Sequence, residues 1–251
     1  MATDITTTRR EGGIELLGIS CPERRNILDE ASYTRLIEAL DVAEADAEVK
    51  VLVITGSENC FTAGNDLNDY KALGDAESVP AIAFLRRLRA FPKPVVAAAE
   101  GLALGLGSSI LLHCDFAYAG HSTRFCLPFV NFALTPLGAT TYLLPRLVGS
   151  KATTAMLMLG QPFTAARANE LGLITDVAPD GKALMQALDC AERLVAKPTE
   201  ALLAIKVLLR EGEDEAVEGA FAREERRLLE RCGSPEAQGA IEAFFARKRG
   251  R

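Results

Sequence analysis

The chain has 251 residues, 49% of them apolar and 25% charged, a balance that suits a globular protein with a sizeable core and excludes disordered and collagen-like chains. With 34 acidic against 28 basic side chains the net charge is -6, and basic residues cluster only at Arg247, Lys248, Arg249 and Arg251, which argues against nucleic acid as a partner. No apolar run approaches the roughly 18 residues of a membrane span, and Met1 to Arg10 is too polar for a secretory signal, so a cytoplasmic protein without a membrane partner is expected.

In chain order, Ile5 to Thr8 and Ile14 to Ile19 flank Gly12-Gly13 and predict a β-hairpin that ends before Pro22. Asp29 then caps a helix carrying Tyr33, Leu36, Ile37 and Leu40. Lys50 to Thr55 is a buried strand leading into Cys60-Phe61-Thr62-Ala63-Gly64-Asn65-Asp66-Leu67, a loop of small residues in which Asp66 caps a helix beginning near Leu67. Ile82, Leu85, Leu88 and Phe91 mark a second amphipathic helix, stopped by Pro92 and Pro94 before the strand Val95 to Ala99. A glycine-rich loop, Gly101 to Ser109, comes next, then a buried helix at Ile110 to Cys114 and strands at Phe116 to Ala119 and Arg124 to Leu127.

Beyond Pro136 the pattern is helical around Leu143–Leu147, Ala152–Leu159, Ala165–Leu171, Ala183–Val195, Glu200–Leu209, Ala216–Leu229 and Glu236–Ala246, interrupted by a short strand at Leu173–Val177. An α/β core over 1–197 and a helical region over 198–251 that packs against another subunit are therefore expected. Six cysteines (Cys21, Cys60, Cys114, Cys126, Cys190 and Cys232) show no CxxC pair, and the two histidines have no HxxxH spacing. Buried, reduced thiols and no metal site are the expectation.

The two small-residue loops both leave buried strands and both lead into helices, so each can turn an amide N–H outward with a helix dipole behind it. Two such donors form an oxyanion hole for charge developing on a thioester oxygen. Spacing alone leaves that reading beside a simpler one, a pair of tight turns.

Several stretches together resemble the crotonase superfamily, the enoyl-CoA hydratase/isomerase family. They are Pro22 to Asp29, Val53 to Gly56 with Cys60 to Leu67, Pro92 to Ala98, Gly101 to Asp115, Leu143 to Gly149, and Leu159 to Ala165 through Gly172 to Val177. The first loop, with Asn65-Asp66-Leu67, is most similar to the delta-3,delta-2-enoyl-CoA isomerase branch. The resemblance implies a spiral of strand-strand-helix units with a C-terminal helical trimerisation region, assembled as a homotrimer or hexamer. It implies an acyl-CoA thioester as ligand, in fatty acid metabolism, with coenzyme A part of the substrate and no separate cofactor. The oxyanion donors become the N–H groups of Asn65 and Leu106. Adenine would lie against backbone near Ala63, Asp66, Leu67 and Asn68, phosphates near Arg25, and Phe245 and Lys248 would reach a neighbour's coenzyme A.

The family's proton-transfer positions carry no carboxylate here. The hydratase-type glutamates fall on Ser109 and Phe129, and the isomerase-type glutamate on Leu137. Hydration needs an acid and a base, and isomerisation one base, so the expected activity divides: a lyase or isomerase acting through enolate stabilisation with a noncanonical base or a Ser109-bound water, or a catalytically weak acyl-CoA binder or oligomer subunit. Other ionisable neighbours are Glu58, Asp69, Tyr70 and His113. His113 reads as a buried structural histidine, Asp69 as solvent-facing and Asp66 as a helix cap.

Overall fold

The hairpin turns at Gly12-Gly13, pairing β1 (Asp4–Arg10) with β2 (Ile14–Ser20) antiparallel from Asp4 opposite Ser20 to Arg10 opposite Ile14. The structure, a computed structural model, describes residues 2–57, 59–73, 76 and 78–249, without the side chains of Ala72, Lys248 and Arg249. Parallel to β2 run β3 (Val51–Gly56), β4 (Val95–Ala99), β6 (Phe116–Gly120) and β9 (Asp176–Ala178), giving, among the described residues, a six-stranded sheet in the order β1-β2-β3-β4-β6-β9. A three-stranded sheet holds β5 (Leu102–Leu104), β7 (Arg124–Cys126) and β8 (Phe163–Thr164). After β4 the chain passes to the smaller sheet, returns at β6, leaves again for β7 and β8, and comes back at β9. It winds as the expected spiral, and from β4 to β9 its turns leave strands in both sheets.

Strand periodicity divides the core. In β3, Leu52 and Ile54 face a large cluster with Leu17 and Ile19 of β2, while Val51 and Val53 face a smaller one with Val96 and Ala98 of β4. The large cluster is covered by α1 (Glu30–Ala45), α3 (Pro80–Ala90) and part of α10 (Asp214–Cys232), the smaller by α8 (Ala183–Val195) through Ala183, Ala187 and Ala191. Asp29 caps α1 as predicted, its Oδ1 accepting the Ser32 N–H at 3.0 Å. Asp66 caps α2 (Leu67–Ala72) through the Asn68 N–H at 2.9 Å. The remaining helices are α4 (Leu106–Leu111), α5 (Thr140–Val148), α6 (Ser150–Leu159), α7 (Ala165–Glu170), α9 (Thr199–Glu211) and α11 (Pro235–Arg249).

Three expectations shift. The Gly101–Ser109 loop contains strand β5 and the first turn of α4, because Leu102 and Ala103 pair with Arg124 and Phe125, a long-range partner invisible in local sequence. The buried helix accordingly starts at Leu106 and ends at Leu111 rather than spanning Ile110 to Cys114. The late strand begins at Asp176; Leu173 and Ile174 are spent in the core instead. All six cysteines are unpaired, and five are buried, with Cys114 half buried. Among the described residues no helix is long and apolar enough to cross a membrane, and no group of three or more His, Cys, Asp or Glu could hold a metal ion.

The helix α9 is pinned under the main sheet by charge. Asp115 Oδ2 accepts the Val95 N–H at 2.7 Å and Lys206 Nζ at 2.8 Å, and its Oδ1 accepts Arg210 Nη2 at 2.7 Å. Burial pushes the Lys206 ammonium down to about 8, against the pull of Asp115. Removing the shared anion leaves two cations without their carboxylate. Asp115→Ala is expected to lower the unfolding free energy by about 3–5 kcal/mol. Lys206→Met, which leaves the Asp115–Arg210 pair in place, should cost clearly less, both read from urea titrations.

Candidate functional site

The first loop is shaped by one buried side chain. Arg25 and Asn26 both take left-handed backbone (φ 57° and 54°), turning Asn26 inward, where it is fully buried. Its Oδ1 accepts the Cys21 N–H at 2.7 Å and the Ser57 hydroxyl at 3.2 Å. Its Nδ2 donates to the carbonyls of Cys60 at 2.6 Å, Ser57 at 3.2 Å and Phe61 at 3.4 Å. The Asn26 carbonyl in turn accepts the Thr62 hydroxyl at 2.6 Å, and Thr62 Oγ1 accepts the Gly64 N–H at 3.0 Å.

The loop then runs beside Leu28: the Leu28 N–H donates to Gly64 O at 2.9 Å and the Asp66 N–H to Leu28 O at 2.8 Å. A trans peptide is planar, with its C=O and N–H pointing opposite ways. Since Gly64 C=O faces Leu28, the Asn65 N–H on the same peptide faces away from it.

The second loop repeats this logic. Thr62 N–H donates to Leu102 O and Leu104 N–H to Thr62 O, each at 3.0 Å, so the two loops are adjacent rungs. Gly105 (φ 54°, ψ -113°) precedes α4, and its carbonyl accepts the Ser109 N–H at 3.1 Å. The Leu106 N–H, on that same peptide, therefore points out of the helix, back toward the first loop. Gly64, at φ 91°, sits between: a Cβ there would lie 2.6 Å from Leu104 O and 3.5 Å from Leu106 N, a contact only glycine tolerates. Among the described residues neither the Asn65 N–H nor the Leu106 N–H has a protein acceptor.

The side chains at the other positions named from sequence are mostly apolar. Leu106 is 1%, Phe129 6% and Leu137 0% exposed. Asn65 Nδ2 donates to the Tyr70 hydroxyl at 2.5 Å, while Asn65 Oδ1 is buried with no partner among the described residues. Ser109 is fully buried, its Oγ 3.1 Å from Thr140 Oγ1 and 3.4 Å from Gly105 O. Thr140 commits its own proton to Leu137 O at 2.7 Å, so Ser109 donates to Thr140. His113 is buried and structural, as expected, with Nε2 2.9 Å from Gly138 O and its ring stacked on Phe221. Burial pushes its pKa down to about 3.

Of the residues named from sequence, Arg25, Ala63, Asn65, Asp66, Leu67 and Asn68 come together on the first loop and the start of α2. Arg25 and Asn68 are exposed and the others half buried. Asp66 is engaged by Asn68 and by the Arg24 guanidinium. Asp69, expected in solvent, is half buried, and burial first and Asp66 second raise its pKa. Phe245 lies under Lys71 of α2, 5.7 Å from Nζ to ring centroid, within the same chain. Lys248 is on α11, its side chain outside the described residues, as is all of Glu58.

Sequence reasoning passed over Asn26 and Glu224. Glu224, on α10 and 5% exposed, accepts the Thr141 N–H at 2.7 Å and the Thr141 hydroxyl at 2.6 Å through Oε1, while Oε2 has no partner among the described residues. Burial raises its pKa, opposed by those bonds and by the N–H groups of Thr140 and Ala139. In the sequence it is one acid among many in a charged helix, and no local signal separates it from the others.

Known proteins resemble this chain in sequence and in fold. Residues 9–250 match the family described as enoyl-CoA hydratase/isomerase. The chain is 33% identical over 241 residues to 2,3-dehydroadipyl-CoA hydratase of Escherichia coli, covering 95% of this chain and 94% of that one. It is 29% identical to human enoyl-CoA delta isomerase 2, covering 95% of this chain and 62% of the relative. The solved structure of Pseudomonas aeruginosa OdaA superposes with a TM-score of 0.92 at 37% identity, over 96% of this chain and 98% of that one.

The neutral, buried His113 gives a pH test. Its unfolded-state pKa is near 6.5 and its folded one about 3, so the unfolded chain takes up the extra proton between these values. The stability this histidine contributes is complete above about pH 6.5 and is lost as the pH falls toward 3. His113→Phe is expected to flatten the fall in unfolding free energy across that window relative to the parent, measured by denaturant titration at a series of pH values.

Proposed function

This chain belongs to the enoyl-CoA hydratase/isomerase family, and we propose that it binds an acyl-CoA thioester with the thioester oxygen held between the N–H groups of Asn65 and Leu106. The observation that carries this reading is that two N–H groups with no protein acceptor among the described residues flank Gly64. Such fixed donors in an apolar setting stabilise the negative charge of an enolate, and one donor of this kind is worth on the order of 3 kcal/mol in a barrier. The neighbouring peptides of Ala63, Asp66, Leu67 and Asn68 line the adenine end, Arg25 meets phosphate, and Phe245 and Lys248 serve a neighbour's coenzyme A.

The fate of the polarised thioester is set by the remaining groups. Ser109, with its proton directed to Thr140, offers lone pairs to a water or a ligand hydroxyl but cannot serve as a carboxylate base. Phe129 and Leu137 cannot move a proton at all. That observation favours a second reading, an acyl-CoA binder of weak activity, over a fast hydratase. Exposed Ile205, Leu208 and Leu209 on α9 support self-assembly through residues 198–251 as a trimer or hexamer.

Leu106→Pro removes the second donor at the first position of α4, where proline is tolerated because that N–H makes no intrahelical bond. With crotonyl-CoA and a 3-enoyl-CoA as substrates, followed at the absorbance of the conjugated thioester, the parent should turn over faster than this variant. Equal rates would leave only the binding reading. If the pocket is otherwise intact, Leu137→Glu is expected to create or raise isomerase activity; no gain with coenzyme A binding preserved would contradict the placement of Leu137 beside the acyl group.

A further inference from the structure

We propose that Glu224 is a positioning residue for the Ser109 hydroxyl, acting from α10 through the first turn of α5; the proposal rests on the reading of the site as one for acyl thioesters. The first turn of α5 is unusual. Its N-cap, Ala139, has left-handed backbone (φ 54°) and no side chain able to cap the helix. Glu224 supplies the missing acceptor from another helix, with Oε1 taking both the N–H and the hydroxyl of Thr141. On the other side of the same turn, His113 Nε2 meets Gly138 O at 2.9 Å.

The turn so held presents Thr140. Because its proton goes to Leu137 O, Thr140 Oγ1 is an acceptor toward Ser109, 3.1 Å away. Ser109 has a competing acceptor, Gly105 O at 3.4 Å, and the Thr140 oxygen decides which way its proton turns. Ser109 lies one helical turn beyond Leu106, and helix side chains lean back toward the N-terminus, the end from which the Leu106 N–H projects. With the proton on Thr140, Ser109 offers a hydrogen-bond acceptor near the two amide donors. That acceptor fits a hydroxyl on the acyl chain close to the thioester. Without Glu224, the N–H and hydroxyl of Thr141 lose their acceptor, the turn that carries Thr140 is no longer fixed, and the Ser109 proton is free to turn to Gly105 O.

The test compares 3-hydroxybutyryl-CoA with butyryl-CoA by isothermal titration calorimetry. The parent is expected to prefer the hydroxylated ligand by about fivefold, the value of one hydrogen bond. Ser109→Ala, Glu224→Ala and Thr140→Val should each bring the ratio close to one, and Ser109→Ala with Glu224→Ala together should lower it no further. Glu224→Gln, which keeps an acceptor oxygen for Thr141, should retain most of the preference. Thr140→Val leaves Glu224 on Thr141 and breaks the same link, so it carries the test should Glu224→Ala fail to fold. An unchanged ratio in Glu224→Ala or Thr140→Val overturns the proposal, as does a parent that binds both ligands equally; in each case the acyl-thioester reading stands. Failure of the parent to bind either ligand overturns both.

Discussion

The side-chain amide of Asn26 is the contact on which the site depends. A single buried group accepts the Cys21 N–H and the Ser57 hydroxyl and donates to the carbonyls of Ser57, Cys60 and Phe61, tying the end of β2 to the segment after β3. Those partners are buried or half-buried polar groups, so the amide both lowers their desolvation cost and fixes the path of the loop. The Asn26 carbonyl passes the constraint to Thr62, and Thr62 passes it to both Gly64 and Leu104. The two outward N–H groups are therefore placed by one chain of hydrogen bonds.

The other wall is built differently. There the turn from Leu137 to Thr141 is held by groups distant in sequence, His113, stacked on Phe221, bonding Gly138 O and Glu224 bonding Thr141. The donor side is backbone held by backbone and a buried amide, which sequence change alters little; the facing side is side chains, which it alters freely. Leu137 belongs to that turn, and Ser109 is tied to it through Thr140.

Much of the architecture was legible in the sequence, for identifiable reasons. Asp29 and Asp66 lie where a cap must be, and Gly12-Gly13 marks a turn, because these are local devices. The placement of Asn65 and Leu106 came from the resemblance of whole stretches, since spacing alone does not separate a donor loop from an ordinary turn. What the sequence hid was long-range: β5 exists because Arg124 and Phe125 come to pair with it, and β8 is two residues, too short for any period. Asn26 and Glu224 share that character, each an ordinary polar residue until the fold surrounds it.

The span in sequence of these contacts bears on how the molecule comes into being. Thr141 waits 83 residues for Glu224, and Asp115 waits 91 for Lys206. During synthesis from the N-terminus, β1 to β4 and both loops emerge well before α9 and α10, so the early chain has the loops but not the later supports of the α5 turn. Contacts of such range close late because loop entropy must be overcome first. The nascent spiral thus passes through a stage in which Asp115, Thr141 and the apolar surface that α10 will cover are open to solvent, and the chain's final helices end that exposure by completing the site and the core in the same step.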